Sequence, residues 1–315
     1  MATYVVTGCA GFIGSHLSES LVARGDNVIG IDNFSPFYSR ELKNYNLSQL
    51  KNKKQFTLLN LDIAKDSLNE VISKACGVFH LAAQPGVRTS WGKDFDIYVK
   101  NNVCGTQRVF EAASNQQIRV VWASSSSIYG NATVCPTTKS AIPQPISPYG
   151  TTKLACEHLS FVYQEAFGLD AIGMRYFTVY GPRQRPDMAF MRITRAILCE
   201  KPFTLFGTGE QSRDALYVLD AVKASLLAME KGSSGAVFNI GGGKKISVKD
   251  AIKILEETAD KNLQIELSPV EKGDAWATSA DTRLAREELG WKPSVSIEEG
   301  LQNQFKWASR LHCSS

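Results

Sequence analysis

Three glycines near the start of the chain constrain its fold more than any other feature. Gly8, Gly11 and Gly14 follow a β-branched stretch at 3–6 and open an amphipathic stretch at 14–23. The first glycine permits a tight turn, the second lets the backbone approach a ligand closely, and the third lets a helix pack on a strand. The helix N-terminus then offers N–H groups and a partial positive charge. The pattern predicts a site for the pyrophosphate of a dinucleotide.

An acidic residue on the next strand supports this interpretation. Asp32 follows a predicted strand at 27–31 and lies about 20 residues beyond the glycines, where a dinucleotide ribose is usually held. A carboxylate there would repel the 2′-phosphate of NADP, so the sequence favours NAD as the cofactor. The alternative is a glycine turn in an α/β protein that binds no nucleotide, and the position of Asp32 argues against it.

Strands and helices alternate through the first half of the chain. Short β-branched runs predict buried strands at 3–6, 27–31, 56–60, 78–81, 120–124 and 171–174. Amphipathic stretches lie between them, at 14–23, 102–115 and 149–167 among others. This alternation predicts an α/β fold with a Rossmann-type, doubly wound parallel sheet.

The second half of the chain has a different pattern. Its predicted strands are short and lie at 203–206, 237–240 and 264–267. Its two predicted helices lie at 248–259 and 297–311. We interpret this half as a smaller C-terminal α/β unit that binds substrate. The predicted domains are therefore 1–175 for NAD and 176–315 for the substrate, interleaved because 212–232 returns to the first domain.

Composition excludes several classes of protein. The net charge is +4 over 315 residues without a strong basic cluster, so we expect no nucleic-acid partner. No apolar run approaches the roughly 18 residues of a membrane span, so we expect no membrane. Seven cysteines, without a close Cys-x-x-Cys pair, indicate reduced thiols, and the first strand begins too early for a signal peptide. We expect a cytoplasmic protein, and no metal site because no histidine has a second ligand nearby.

A tyrosine and a lysine lie four residues apart on one predicted helix. Ser147 and Pro148 are typical of a helix N-cap and first turn, so Tyr149 and Lys153 share one helix face. A phenol with a pKa near 10 is a poor base at neutral pH, but a neighbouring ammonium stabilises the phenolate. The pair predicts a general base. A Tyr-x-x-x-Lys motif alone also occurs on exposed helices, and the glycine motif and upstream serines favour the catalytic interpretation.

Three motifs together resemble the extended short-chain dehydrogenase/reductase family. The glycine spacing is G-x-x-G-x-x-G, Leu-Ala-Ala follows the fourth predicted strand at 81–83, and Tyr149 and Lys153 complete the set. The resemblance extends over about 3–291, nearly the whole chain. It implies an NAD-binding enzyme that acts on a sugar nucleotide.

The resemblance also implies the residues of the cofactor groove. Asp62 and Ile63 would flank the adenine, although Asp62 alone would be read as a turn carboxylate at a strand end. Either Asn101 or Asn102 would line the rest of the cofactor groove. The expected set is Gly8, Gly11, Phe12, Ile13, Gly14, Asp32, Asn33, Asp62, Ile63, Leu81, Ala82, Ala83, Gln84, Asn101, Tyr149, Lys153 and Tyr176.

The third catalytic group is expected in the serine run at 124–127, after a predicted strand. Open α/β sheets bind ligands at that end of their strands. Alignment with the family on Tyr129-Gly130 implies Ser125 as the catalytic hydroxyl, with Ser126 as the second choice. Its hydroxyl would hydrogen-bond the substrate oxygen beside Tyr149.

The residues after Ser125 help to choose the reaction. Related dehydratases carry an Asp-Glu pair there and several decarboxylases carry a Glu, but this chain has Ser126 and Ser127. Reversible oxidation at one carbon remains, which indicates epimerisation. We expect Tyr149 to remove the proton of the sugar 4-hydroxyl while NAD⁺ takes the C4 hydride, which later returns to the opposite face of the 4-keto sugar.

The substrate residues are also implied by resemblance. Arg213 matches the family's contact to the UDP diphosphate, and Asp274 matches a position beside the uridine ribose. Glu271 stands where the family carries a basic residue. A guanidinium fork suits phosphate geometry, which supports the role expected of Arg213.

Two segments, 84–91 and 180–190, resemble UDP-glucuronic acid 4-epimerases. Thr178 replaces the Asn of UDP-galactose 4-epimerases, and we expect Arg185 to bind the C6 carboxylate of a uronic acid. We expect Arg183 to bind loop carbonyls instead. The expected substrate set is Arg88, Thr178, Arg185, Met188, Ala189, Phe190, Thr204, Phe206, Arg213 and Asp274.

Several alternatives remain at this point. The nearest is a 4-epimerase of UDP-glucose, UDP-galactose or an N-acetylhexosamine nucleotide, with the same catalytic residues. Others are a UDP-glucuronate decarboxylase and an NAD-sensing protein without catalytic activity. The resemblance further implies a homodimer built from the helices near 102–115 and 149–167.

Overall fold

The computed structural model describes residues 1–132, 134–269, 273 and 275–312. These residues form twelve strands, β1 (Thr3–Thr7), β2 (Asn27–Ile31), β3 (Phe56–Leu59), β4 (Gly77–His80), β5 (Val120–Ser125), β6 (Ala171–Tyr176), β7 (Thr178–Tyr180), β8 (Phe203–Phe206), β9 (Ser212–Tyr217), β10 (Val237–Ile240), β11 (Lys245–Ser247) and β12 (Ile265–Ser268). Each of the six strands expected in the first half is present, with ends within two residues of the predicted ones.

The helices of the described residues are α1 (Phe12–Ala23), α2 (Arg40–Asn46), α3 (Asn69–Ile72), α4 (Phe95–Tyr98), α5 (Gly105–Gln116), α6 (Pro148–Phe167), α7 (Ala189–Leu198), α8 (Val218–Lys231), α9 (Val248–Ala259), α10 (Arg283–Leu289) and α11 (Ile297–His312). Short 3₁₀ turns cover Arg88–Ser90, Gly92–Asp94 and Ser126–Tyr129, and a π-helical stretch covers Val99–Cys104. None of these helices is long and apolar enough to cross a membrane.

Seven strands form one sheet in the order β10-β6-β5-β4-β1-β2-β3, and every neighbouring pair is parallel. The predicted Rossmann-type, doubly wound sheet is therefore confirmed. The strand order reverses at β1, with β2 on one side and β4 on the other. Such a reversal leaves a crevice beyond the carboxyl ends of the strands, where ligands bind in open α/β sheets.

The remaining strands lie outside the large sheet. β7, β9 and β11 form a three-stranded sheet, and β8 pairs in parallel with β12. The chain returns to the first sheet when α8 packs against α1 and β10 pairs with β6. The division of the chain at residue 175 stays a prediction.

Apolar side chains cover both faces of the large sheet. The larger cluster joins one face to the second unit and includes Leu17, Leu216 and Phe238. The other cluster includes Phe110 and Trp122, which are buried against each other with the planes of their rings inclined at 78°. Burial on both faces explains why the strands of this sheet are continuous apolar runs rather than alternating ones.

Candidate active site

A cavity of about 630 Å³ lies at the carboxyl ends of the parallel strands and extends to the second unit. It is lined by most of the residues expected from the sequence: Gly8, Gly11, Phe12, Ile13, Gly14, Asp32, Asn33, Asp62, Ile63, Leu81, Ala82, Ala83, Arg88, Asn101, Ser125, Ser126, Tyr149, Lys153, Tyr176, Thr178, Arg185, Met188, Ala189, Phe190, Thr204, Phe206 and Arg213. Among the expected residues that the structure describes, Gln84 does not line it. Asp274 and Glu271 lie outside the described residues.

The glycine turn allows no side chain at two of its positions. Gly8 has φ +72°, and a Cβ there would lie 2.8 Å from the backbone nitrogen of Ala82. A Cβ on Gly14 would lie 2.1 Å from the carbonyl oxygen of Gly8. Gly11 is the N-cap of α1, and no side chain in the described ranges caps that helix. The turn therefore presents backbone and a helix N-terminus to the cavity, as an anionic ligand requires.

Asp32 is fixed by backbone donors at the end of β2. Its Oδ2 accepts a hydrogen bond from the Ala10 N–H (3.1 Å) and its Oδ1 accepts one from the Phe34 N–H (2.8 Å). The Lys43 ammonium lies 3.9 Å from Oδ1 and donates to the carbonyl oxygen of Ser35. The sequence analysis missed Lys43, because no motif connects a residue of α2 with the end of β2.

Asp62 has both of the environments considered for it. Its Oδ1 accepts a hydrogen bond from the Ala64 N–H (3.0 Å), as a turn carboxylate does, and the residue also lines the cavity. The ammonium groups of Lys65 and Lys100 lie 3.9 Å and 3.8 Å from its Oδ2. A local structural role and contact with a ligand are therefore compatible for this residue.

The neighbouring asparagines have different positions. Asn101 lines the cavity, whereas Asn102 is fully buried. The Asn102 side chain accepts a hydrogen bond from the Gln84 N–H (2.7 Å) and donates to the Gln84 carbonyl oxygen (3.1 Å) and to Thr152 Oγ1 (3.0 Å). Asn102 therefore fixes the segment after β4 to α6, which explains why Gln84 is held away from the cavity.

The tyrosine and lysine of the motif lie on α6 as expected. Ser147 Oγ accepts a hydrogen bond from the Gly150 N–H (3.1 Å), which confirms the predicted N-cap. Tyr149 and Lys153 both line the cavity. The Lys153 ammonium is buried and donates to the carbonyl oxygen of Ala123 on β5 (2.8 Å). This bond fixes the charge of Lys153 at the strand end, on the same face of α6 as Tyr149.

The serine run turns at the end of β5. Ser125 Oγ accepts a hydrogen bond from the Ser127 N–H (3.1 Å) and begins the 3₁₀ turn Ser126–Tyr129. Ser124 Oγ instead donates to the Glu157 carboxylate on α6 (2.6 Å). Ser125 and Ser126 both line the cavity, and Ser124 does so as well.

The loop between β7 and α7 brings a guanidinium close to Tyr149. Burial alone would lower the pKa of Arg185, but the Asp187 carboxylate, and secondarily negative charge on the oxygens of Tyr149 and Tyr38, raise that pKa above its usual value. Arg183, expected to bind loop carbonyls, instead donates to Glu19 Oε1 on α1 (2.7 Å). It therefore anchors the loop to α1, the helix that follows the glycine turn.

Basic and aromatic groups surround the far end of the cavity, which is the part lined by α7, β8 and β9. The Arg88 and Arg192 guanidinium carbons lie 4.4 Å and 5.4 Å from the centroid of the Phe206 ring. Arg213 also lines this end, and Gln211 Nε2 donates to the Phe206 carbonyl oxygen (2.8 Å). The sequence analysis missed Arg192 and Gln211, which belong to no recognisable motif. Several guanidinium groups beside an aromatic ring suit a phosphorylated nucleoside.

A family model described as GDP-mannose 4,6 dehydratase matches residues 5–304, almost the whole chain. The chain belongs to this family. The expected resemblance to short-chain dehydrogenase/reductases of the epimerase and dehydratase type is therefore confirmed. Membership in the GDP-mannose 4,6-dehydratase family does not by itself choose between elimination of water and epimerisation, because both kinds of enzyme share the fold.

Three similar proteins each align with nearly the whole of this chain. An uncharacterized UDP-glucose epimerase of Bacillus subtilis strain 168 is 40% identical, with 98% of each chain covered. A UDP-glucuronate 4-epimerase of Thermodesulfobacterium geofontis is 37% identical, covering 98% of this chain and 96% of the relative. The crystal structure of UDP-glucuronic acid 4-epimerase from Bacillus cereus in complex with UDP-glucuronic acid and NAD has a TM-score of 0.95 at 40% identity, covering 98% of this chain and 99% of that one.

Proposed function

We propose that this protein is an NAD-dependent UDP-sugar 4-epimerase that converts UDP-glucuronate to UDP-galacturonate. One observation carries the choice of sugar: Arg185 and the proposed base Tyr149 line the same cavity. A base for a sugar hydroxyl thus stands beside a cation suited to a carboxylate. UDP-glucuronate carries both groups on one ring, and the B. cereus relative of the same fold was crystallised with it.

The residues around the glycine turn fit NAD. The backbone at Gly8 and Gly14 leaves no room for Cβ atoms, so a pyrophosphate can approach the N-terminus of α1 directly. The Asp32 carboxylate would accept hydrogen bonds from the adenosine ribose, with Lys43 balancing its charge. Bound there, NAD would supply the hydride acceptor and donor for C4 of the sugar.

The catalytic residues have separate tasks. Tyr149 accepts the proton of the 4-hydroxyl and later returns it. The Lys153 ammonium, fixed by the carbonyl oxygen of Ala123, stabilises the phenolate form of Tyr149. Ser125 uses its oxygen to accept the Ser127 N–H bond, and its own O–H donates to the sugar 4-oxygen. Neither Ser126 nor Ser127 has the acidity to expel water, which favours epimerisation over dehydration.

The far end of the cavity is the proposed nucleotide site. Arg88, Arg192 and Arg213 would bind the diphosphate, because guanidinium groups offer paired N–H donors to phosphate oxygens. The Phe206 ring, over which the Arg88 and Arg192 guanidinium groups lie, would hold these two arginines in place for the phosphates.

A UDP-hexose 4-epimerase is the second candidate, and the Arg185 pairing favours it. Arg185 already forms a bidentate ion pair with Asp187, so a neutral sugar would leave no unbalanced cation. The B. subtilis relative is named as a UDP-glucose epimerase. Both candidates use Tyr149, Lys153 and Ser125 in the same way, so the substrate assay must distinguish them.

Product analysis tests the proposal. The protein is incubated separately with UDP-glucuronate and with UDP-glucose, and the product sugars and any CO₂ are identified. We expect UDP-galacturonate without CO₂, and a loss of at least about 100-fold for Tyr149→Phe, which should still bind NAD. Faster turnover of UDP-glucose would establish the hexose epimerase. A pentose product with CO₂ would establish a decarboxylase. If neither sugar nucleotide reduces bound NAD, the protein binds NAD without this activity.

We also propose that the protein is a cytoplasmic homodimer that binds neither nucleic acid nor membranes. α6 exposes Phe161, Val162 and Phe167, and a second copy could cover this apolar face. The six cysteines in the described ranges form no disulfide, as a reducing compartment favours. Sedimentation of Phe161→Glu tests the dimer, because a charge in the interface should yield monomers.

A further inference from the structure

Arg185 and Asp187 share one turn of the loop between β7 and α7. The Met188 N–H donates to the carbonyl oxygen of Arg185 (3.2 Å) and closes the turn. Arg185 Nε donates to Asp187 Oδ1 (3.0 Å) and its Nη2 donates to Asp187 Oδ2 (2.9 Å). Both residues line the cavity. The carboxylate of Asp187 thus engages a guanidinium that the proposed function assigns to the substrate.

This bidentate pair uses only one edge of the guanidinium. Arg carries five N–H donors in one plane, and the Asp187 carboxylate takes the edge formed by Nε and Nη2. The edge formed by Nη1 and the second hydrogen of Nη2 is not used by Asp187. A second carboxylate can therefore bind Arg185 while Asp187 stays in place.

The loop that carries the pair is itself fixed. Gln184 is buried, and its Nε2 donates to the Val179 carbonyl oxygen (3.1 Å) while its Oε1 accepts from the Met191 N–H (2.9 Å). The centroid of the Phe37 ring lies 5.9 Å from the guanidinium carbon of Arg185. The loop backbone and the Asp187 carboxylate together support this orientation of the guanidinium plane.

We propose that Asp187 is a positioning residue that fixes Arg185 so that its unused edge faces the C6 carboxylate of a bound uronate. The inference rests on the proposed function, in which Arg185 binds that carboxylate. A long cationic side chain otherwise loses conformational entropy when the substrate binds, and orientation in advance removes that loss from binding. The Asp187 side chain is 39% exposed, so water screens its repulsion toward the substrate.

Binding to the NAD-loaded protein tests this role. Asp187→Ala should weaken UDP-glucuronate binding about tenfold, the scale expected when one long side chain loses its orientation. UDP-glucose binding should not change, because a neutral sugar does not need the oriented edge, and it also verifies that the variant is folded. Asp187→Asn, which keeps an acceptor of the same shape, should recover part of the loss. kcat/KM for UDP-glucuronate should follow the same order.

A double-mutant cycle shows whether Asp187 acts through Arg185. In the Arg185→Ala background, Asp187→Ala should cause no further loss. Tighter binding of UDP-glucuronate by Asp187→Ala would overturn the inference and show that Asp187 competes with the substrate. Equal losses for both sugar nucleotides would overturn it in favour of a general structural role. If Arg185→Ala leaves the discrimination between the two sugar nucleotides unchanged, the proposed function fails. If Arg185→Ala changes that discrimination and Asp187→Ala does not, only this inference fails.

Discussion

Arg175 and Glu157 form a bidentate ion pair between β6 and α6. Arg175 Nε donates to Glu157 Oε1 (2.8 Å) and its Nη2 donates to Oε2 (2.7 Å), with only 8% and 10% of the side chains exposed. Ser124 donates to the same carboxylate, and Arg175 also donates to the Tyr129 hydroxyl. The pair therefore connects α6, the helix that carries the proposed base, with Ser124 near the end of β5 and with Tyr129 at the end of the 3₁₀ turn.

Removing one partner of this pair should destabilise the protein strongly. Glu157→Leu is expected to lower the free energy of unfolding by about 3–5 kcal/mol, because the Arg175 charge stays buried without its partner. Urea unfolding measures the loss, and Glu165→Leu, which removes an exposed carboxylate of the same helix, is the matched control. Glu157→Leu combined with Arg175→Met should recover much of the stability. A double variant no more stable than Glu157→Leu would mean that packing, not the unpaired charge, causes the loss.

The two candidate serines should differ in their effect on the reaction. Ser125→Ala is expected to lower kcat about 100-fold, the scale found when one hydrogen-bond donor to a reacting oxygen is lost. Ser126→Ala should lower kcat only severalfold, because Ser125 accepts the Ser127 N–H bond that orients its hydroxyl. Steady-state kinetics with UDP-glucuronate compares them at equal content of bound NAD. A larger loss for Ser126→Ala would transfer the catalytic role to that residue.

Gln211 should bind the nucleotide part of the substrate. Its Nε2 is fixed by the Phe206 carbonyl oxygen, while its Oε1 is buried without a hydrogen-bond partner among the described residues. Such an acceptor is costly unless a ligand supplies a donor, as the uracil N3–H or a ribose hydroxyl would. Gln211→Met should weaken binding of UDP about five- to tenfold. Calorimetry should find the same loss for UDP and UDP-glucuronate, and kcat should change little; unchanged UDP affinity would exclude this contact.

Local patterns predicted the sheet and the cofactor end of the cavity. The β-branched runs predicted six strands of the large sheet, because burial on both faces requires apolar residues at successive positions. The glycine spacing and Asp32 are close in sequence, so their meeting follows from one βαβ unit. Tyr149 and Lys153 needed only the helical period to be placed on one face.

Apart from Gln211, whose hydrogen bond to the Phe206 carbonyl oxygen is local, the residues that the sequence analysis missed or paired wrongly depend on contacts between different elements. Lys43 meets Asp32 only because α2 packs beside the end of β2, and Arg192 meets Arg88 over the Phe206 ring. Arg183 donates to a glutamate of α1 from a loop more than 160 positions away. No periodicity or motif encodes such pairs, because tertiary packing alone brings them together.

The stability of the folded protein should fall as the pH decreases below about 6.5, and His80 should cause part of the fall. Its Nδ1 lies 2.7 Å from Thr7 Oγ1 and its Nε2 lies 3.0 Å from Thr106 Oγ1, at a fully buried position beside Lys153. Burial, and secondarily the Lys153 charge, lowers the pKa of His80 to about 3. The unfolded chain binds a proton at this residue near pH 6.5, whereas the folded chain does so only near pH 3.

The sign of the effect follows from proton uptake. Between those two pH values the unfolded state holds the extra proton, so acid favours unfolding. Urea unfolding at pH 7 and pH 4 measures the decrease, and His80→Gln should reduce it by about 3 kcal/mol because Gln does not titrate. His158→Gln, on the exposed surface of α6, is the control and should keep the decrease of the unmodified protein. An equal decrease in His80→Gln and in the unmodified protein would show that His80 does not resist protonation in the folded state, because a neutral buried ring must contribute to acid sensitivity.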